Sequence, residues 1–539
     1  MSEVKVNKLS PRSGTTVTIG DSGDTINVVG TLQNNGSAVE VDSVTFKEGG
    51  TNFTNSLLVG TDTTGTLDAA TGNTGVGVGV FGALTTGDNN VAVGYVALDV
   101  NTTGEKNAAV GASALQKNTT GNKNAAVGYL ALYNNTTGAN NVAIGNDSLK
   151  ENTTASGNTG VGESALEVTT TGCCNTAVGN GALQANTTGD SNVAVGQAAL
   201  AFATTADNNT AVGRQALFCN TTGTENVAIG HMTMCNTTTA DSNVAVGNYA
   251  MREATTGNNN TAVGYCSLKA NTTGASNVAV GRQALHANTT GAYNTAVGFC
   301  AMASNTTAVS NTSIGFCAMA ATTTGGDNTA VGEESLIVHT TGVENVTVGR
   351  RAGCSITTGS YSTAIGAGAL KSATTGENAA VGRNAAQNIT TGTNNFVFGS
   401  GADAVKDITT DNHQIVIGNN SNTHAYIKID WTVTSDLRDK TEIKDVTHGL
   451  DFINQITPIE YKFKKSREND TPHGNKKYGF SAQEILALEE DNPIIVNNED
   501  TENLKVTNAH LIPVLVNAIK ELSTQNEDLK SRIETLESN

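Results

Sequence analysis

A glycine recurs every 17 residues, without a slip, from Gly77 to Gly366. Gly382 and Gly399 follow at spacings of 16 and 17, which makes 20 anchors. A fixed period of this length, held over most of a chain, leaves few folds open. It is too short for a pair of helices and too rich in glycine for one. It suits one turn of a β-solenoid, whose units bury their inner face only by stacking on one another.

Each position in the unit keeps its own chemistry, as in NNVAVGYVALDVNTTGE at 89–105. The residue before the anchor glycine is Val or Ile from Val93 to Ile365, and the one before that is nearly always Ala. Asn stands four residues before the glycine from Asn90 to Asn345. From Leu98 to Leu370, Leu or Met follows four residues after it, with Gly353 the exception, and Thr-Thr stands eight and nine after, from Thr102-Thr103 to Thr374-Thr375. The expected turn is a short NVAVG strand, a second stretch ALxxN and a TTG corner. Alternation along the strand puts the Val or Ile and the residue two before it on one face. The expectation is that this face and the Leu line the interior, with the Ala positions turned outward for close approach of a neighbouring chain. Stacked Asn and Thr columns should form hydrogen-bonded ladders. Twenty turns at ~4.8 Å would span roughly 95 Å.

Composition excludes several classes of function. Aromatic residues make up 4% and charged residues 15% of 539, so a thick globular core is not expected in most of the chain. A net charge of −18 disfavours nucleic acid and anionic membranes, which need clustered Lys and Arg. No apolar run approaches the ~20 residues of a membrane span. The start, MSEVKVNKLSPRSG, has no apolar signal core, so synthesis in a host cytoplasm without an export signal is expected. Eight cysteines lie between Cys173 and Cys354 without metal-ligand spacing, so neither a metal nor a cofactor is expected. Cys300 and Cys317 stand one repeat apart in the same register. Repeated NTT reads as a corner ladder rather than glycan acceptors. Adjacent threonines point to different faces, unlike a flat ice-binding array. No Asp column supports a calcium-binding roll, and no paired carboxylates suggest a glycan-degrading centre.

The NVAVGxxAL unit resembles the head repeat of trimeric bacterial adhesins of the YadA type, over about 75–400. That resemblance implies a left-handed β-roll packed as a trimer, although the adhesin unit is shorter. Residues 1–60 include VNKLSPRSGTTVTIGDSGDTINVVG, with strand signals at TVTI and INVV. This stretch resembles the start of marine phage tail-fibre proteins and implies a segment for attachment to the virion tail or baseplate.

After Trp431, the only tryptophan, the sequence changes to mixed α/β patterning. SDLRDKTEIKDV, LDFINQITPIEYKFK, YGFSAQEI, NPIIV and LIPVLVNAIKEL follow in order. Together they resemble the endosialidase-type intramolecular chaperone, a self-cleaving serine peptidase family of phage fibres and spikes. The family's module trimerises, guides folding of a β-rich fibre and then cuts itself off before a serine. Here the resemblance implies catalytic Ser435 and Lys440, cleavage at Thr434–Ser435, and Asp436 and Arg438 as supporting residues that organise the junction. Ser481 and Asp439 stand where the family usually has apolar residues.

The last stretch carries Leu515, Ile519, Leu522, Asn526, Leu529, Ile533 and Leu536 at alternating spacings of 4 and 3. This is a heptad seam, with Asn526 able to fix register and oligomer state. The expected fold is mainly β: a trimeric β-solenoid or β-roll of 17-residue repeats followed by a small α/β chaperone domain ending in a coiled-coil helix. The expected divisions are an N-terminal β segment at 1–60, a repeat shaft at 61–410, a distal cap at 411–434 with Tyr426 and Trp431, and the chaperone at 435–539. The expected function is a homotrimeric phage tail fibre that meets a host cell-surface glycan or protein, located in the virion. A non-viral trimeric adhesin with a retained chaperone is the alternative.

Overall fold

A computed structural model describes residues 39–41, 44–48, 53–60, 68–401, 408–419, 422, 435–489, 493–498, 501–502 and 504–538. The expected strands at TVTI and INVV lie outside the described residues, as do Tyr426, Trp431 and Thr434. The chain divides into two compact units, Met1–Asn419 and Asn420–Asn539.

The first unit is a β-solenoid. All but two of its described strands form one 24-stranded sheet, and the remaining two, Phe53–Thr54 and Ala70–Thr71, pair in parallel with each other. The first strands, Val39–Val41 and Val44–Glu48, pair antiparallel, and the second pairs antiparallel with Leu57–Gly60. From Leu57–Gly60 to Ile415–Ile417 every strand then pairs in parallel with the one a turn further on. The pattern reaches beyond the 20 anchors at both ends, because Gly60 pairs with Gly77 and Phe396 with Ile415. The short spacing between Gly366 and Gly382 leaves the sheet undisturbed, with Thr363 opposite Ala379. The missing residue is absorbed by the corner.

The interior corrects the expected sidedness of the strands. Ala92, Ala109 and Ala126 are fully buried, whereas Val93, Val110, Val127, Ile144, Ile229 and Ile314 are each 36–42% exposed. The small residue faces inward and the β-branched residue outward. The reason is space. The middle of each strand faces the buried Leu98 column and the buried amides of Asn90 and Asn101, leaving room for little more than a methyl group. Where the polar Thr347 replaces that Ala, its hydroxyl finds a partner: Thr347 Oγ1 lies 2.7 Å from Ser335 Oγ. The Leu or Met column is buried as expected, at about 1.5–3 kcal/mol per side chain relative to exposure.

Ladders of hydrogen bonds run along the stack. The backbone N–H of Asn107 donates to Asn90 Oδ1 at 2.9 Å, and Asn90 Nδ2 donates to the Gly104 carbonyl at 2.9 Å. A second buried column links Asn118 Nδ2 to Asn101 Oδ1 at 2.7 Å. Thr102 Oγ1 donates to the Thr119 carbonyl at 3.0 Å. Burying an amide costs free energy unless it is hydrogen-bonded. An identical amide one turn away answers part of that need along most of the first column, which ties the 17-residue period to the fold. The second column is broken where another residue enters it. Asn152, Asn186, Asn220 and Asn305 each leave Oδ1 without a protein partner, next to Thr169, Ala203, Thr237 and Thr322.

All eight cysteines are free. Cys300 and Cys317 occupy consecutive turns, and burial and its neighbour Cys300 push the Cys317 thiol upward.

The second unit is mixed α/β. Helix α1 (Leu450–Gln455) leads into a hairpin of Pro458–Ser466 and Asn469–Phe480, then α2 (Ala482–Glu489). Val496–Asn497 pairs antiparallel with Lys505–Val506, and α3 (Asn508–Glu537) closes the unit. Phe452, Ile456, Ile485, Ile495, Val496, Leu511 and Val514 form its core. Ser481 caps α2 by accepting the Glu484 N–H at 3.3 Å, which gives a polar residue a use at a site where the family is usually apolar.

Candidate functional site

The SDLRDK stretch folds into a single 3₁₀ turn, Leu437–Asp439. Asp436 begins it: its carboxylate accepts the Arg438 N–H at 2.9 Å and pairs with the guanidinium at 2.5 Å. Asp439 N–H donates to the Asp436 carbonyl and Lys440 N–H to the Leu437 carbonyl, each at 3.2 Å. The Arg438 guanidinium holds the Asp436 carboxyl below the usual carboxylate range.

Reversal of the chain over one turn carries Lys440 back to Ser435. Lys440 Nζ donates to Ser435 Oγ at 2.8 Å. The two proposed catalytic groups therefore meet, with Asp436 and Arg438 shaping the turn between them. Thr434, on the other side of the expected scissile bond, lies outside the described residues.

Both Ser435 and Lys440 are exposed in the single chain. A serine hydroxyl becomes an effective nucleophile when a base removes its proton. A lysine can do so only as the neutral amine, which desolvation or nearby positive charge favours. The pair is in hydrogen-bonding reach. Among the described residues, no group of three or more His, Cys, Asp or Glu side chains could hold a metal ion. No described helix is long and apolar enough to cross a membrane.

Residues 435–492 match a family model described as the chaperone of endosialidase, a peptidase family. The match begins at Ser435 itself and covers the first part of the second unit. Searches of curated proteins and of solved structures gave no match.

The rest of the unit connects this chaperone-like segment to α3. Leu511, Val514 and Ala518 are buried on one side of the helix, while the seam from Leu515 to Leu536 is exposed. Ile519, Leu522 and Asn526 line an open groove on α3. Sequence reasoning missed three polar anchors. Asn517 Nδ2 donates to the His448 carbonyl at 3.0 Å, and Glu521 accepts the Leu450 N–H at 2.7 Å. These bonds tie the start of α1 to α3. The buried Glu489 carboxylate accepts the N–H groups of Ile494, Ile495 and Val496 at 2.6–2.9 Å. A polar residue on an otherwise apolar helical face, as Asn517 is between Val514 and Ala518, was the available signal.

Proposed function

We propose that this chain is a homotrimeric phage tail fibre whose C-terminal module assembles three copies, guides their folding and then cuts the Thr434–Ser435 bond. The observation that carries the reading is the 2.8 Å contact between Lys440 Nζ and Ser435 Oγ at the first residue of the matched family segment. Neutral Lys440 takes the hydroxyl proton as Ser435 Oγ attacks the Thr434 carbonyl carbon. The C–N bond breaks, the proton passes to the leaving amine and an ester joins Thr434 to Ser435 Oγ. Water then hydrolyses the ester. Because the groups belong to one chain, orientation supplies much of the rate.

Two unpartnered apolar surfaces support assembly. One is the α3 seam, exposed from Leu515 to Leu536. The other is the outward Val/Ile row of the solenoid, which repeats turn after turn, and long exposed apolar patches mark sites of association. A second copy has the same pitch and can cover that row along its whole length. Burial between chains would also dry Ser435 and Lys440 and so link cleavage to assembly. Ile at one seam position and Leu at the other suit two strands as well, so the strand number is a direct test. Attachment to a virion through 1–60 and to a host surface through the fibre completes the reading. The retained, uncleaved adhesin differs in keeping residues 435–539.

The decisive experiment is the mass of the purified chain and of its assembly, for wild type, Ser435→Ala and Lys440→Ala. The reading expects wild type cut at Thr434–Ser435, both variants intact, and three chains per particle. An intact wild type would leave a retained chaperone. A cut that persists in both variants would remove the Ser–Lys mechanism.

A further inference from the structure

Outside the apolar row and the dyad, one surface column departs from the chemistry of the rest. It consists of the residue that follows each anchor glycine. Elsewhere this position mixes small, amide and acidic residues with scattered aromatic and basic ones such as Tyr95, Tyr129, Arg214 and His231, but over four consecutive turns it becomes Tyr265, Arg282, Phe299 and Phe316. Phe299 and Phe316 stack with ring centroids 5.3 Å apart and planes 9° from parallel. Arg282 lies over both neighbours, 5.9 Å from the Tyr265 ring and 5.4 Å from the Phe299 ring. All four side chains are exposed.

Further along the same face, Arg350, Arg351, Lys371 and Arg383 surround a recess of about 250 Å³. Its floor is small because Ala367 and Gly368 occupy the intervening turn. Arg350 and Arg351 pair with Glu333 and Glu334 at 3.4 and 3.1 Å on one side. Lys371 and Arg383 make no ion pair among the described residues. Four cations around one recess are unusual for a chain of net charge −18.

We propose that this column binds an acidic polysaccharide, with sugar rings against Tyr265, Phe299 and Phe316 and carboxylates at Arg282 and in the Arg350–Arg383 recess. The proposal deepens the attachment reading by naming a ligand class and a face. Aromatic faces take the C–H surface of a ring-shaped ligand, and guanidinium groups take carboxylates in a fork. The rungs repeat at the strand spacing of ~4.8 Å, comparable with the length of one sugar unit, so a regular polymer can meet several rungs together. Charge complementarity selects an acidic polymer over a neutral one, because Lys371 and Arg383 pair with no carboxylate among the described residues.

The test is binding of the assembled, full-length protein to oligomers of polygalacturonate, alginate and polysialate, with dextran as the uncharged control. Wild type is expected to bind at least one acidic polymer and not dextran, with affinity falling as salt rises. Phe299→Ala/Phe316→Ala and Arg350→Ala/Arg383→Ala are each expected to weaken binding tenfold or more, with Lys117→Ala as an unaffected control. No binding of any acidic polymer, equal binding of dextran, or unchanged affinity in both double variants would overturn the site. Particle mass is measured in parallel; loss of the assembled state in the Phe variant would make the column a contact between copies and also overturn it. Attachment is scored separately with labelled protein on whole bacterial cells. Cell binding retained by all variants overturns the site while attachment stands. Polymer binding without cell binding supports the site while attachment falls.

Discussion

Gly213 and Gly230, one turn apart, approach so closely that a Cβ on Gly213 would lie 2.4 Å from the Gly230 carbonyl oxygen. The φ of Gly213 is +135°, a conformation that other residues rarely adopt. Two independent constraints therefore fix this position. Gly213→Ala is expected to cost at least about 3 kcal/mol and to open the stack locally. The corner glycines provide the contrast. Gly138 is also crowded, by the Ala155 carbonyl at 2.3 Å, yet Ala155, Ala206, Ala240 and Ala308 occupy the same column naturally. Gly138→Ala is expected to stay within about 1 kcal/mol. Hydrogen exchange in the two neighbouring turns distinguishes the cases; equal protection in both variants would refute the distinction.

A stabilising substitution follows from the interrupted amide column. Asn186 leaves its Oδ1 unanswered because the next turn supplies Ala203 where nine of the 20 turns supply Asn. Ala203→Asn places a donor there, and its own oxygen faces the Asn220 amide. A gain of about 1 kcal/mol is expected, as for a buried hydrogen bond newly satisfied. Slower exchange of the amides around 186–220 is the readout, and faster exchange would show that the cavity cannot hold the side chain.

His339 introduces a pH dependence into the interior. It stands fully buried in the second Asn column, with Nδ1 3.2 Å from Thr322 Oγ1. Burial pushes its pKa down to about 4, against about 6.5 in an unfolded chain. Above about pH 6.5 both states are neutral and stability is complete. As pH falls from there toward 4, the unfolded chain binds a proton that the folded chain refuses, so stability falls. The loss approaches roughly 3 kcal/mol and levels off below the folded value. Protection factors for 322–345, taken relative to the intrinsic exchange rate at each pH, should fall between pH 6.5 and 4 in wild type and less so in His339→Asn. Parallel pH profiles would assign the effect elsewhere.

The outward row gives a prediction that separates folding from assembly. Ile229 is 40% exposed in the single chain, so a charge there is tolerated by the solenoid itself. Covered by another copy, the same charge would be buried unpaired, at a cost of several kcal/mol. Ile229→Glu is expected to keep the β-sheet signature by circular dichroism while the particle mass falls. An assembly of unchanged mass would place the contact between copies on another face.

Much of this architecture was legible because periodicity survives translation into space. Asn90, Gly94 and Leu98 could be assigned a shared turn from spacing alone, and the seam from Leu515 to Leu536 from its heptads. The sidedness of the strand was not legible. Alternation separates Ala92 from Val93 but does not say which face is enclosed, and the larger side chain was the natural choice for a core. The width of the turn decides it, and width depends on Leu98 and the amides across the interior. In the second unit, Ser435 and Lys440 are five residues apart and their meeting needs only one 3₁₀ turn. Asn517 and His448 are 69 residues apart, and although Asn517 stands out as polar on an apolar face, nothing local names its partner.

The corner at 366–382 holds one residue fewer than its neighbours, while Thr363 still meets Ala379. Corners thus absorb small edits and the sheet counts only whole turns. Evolution can accordingly lengthen or shorten this solenoid by duplicating or deleting units, each strand finding an equivalent partner at the new junction. The protein is in effect a molecular ruler graduated at the strand spacing, whose reach can be reset without redesigning either end.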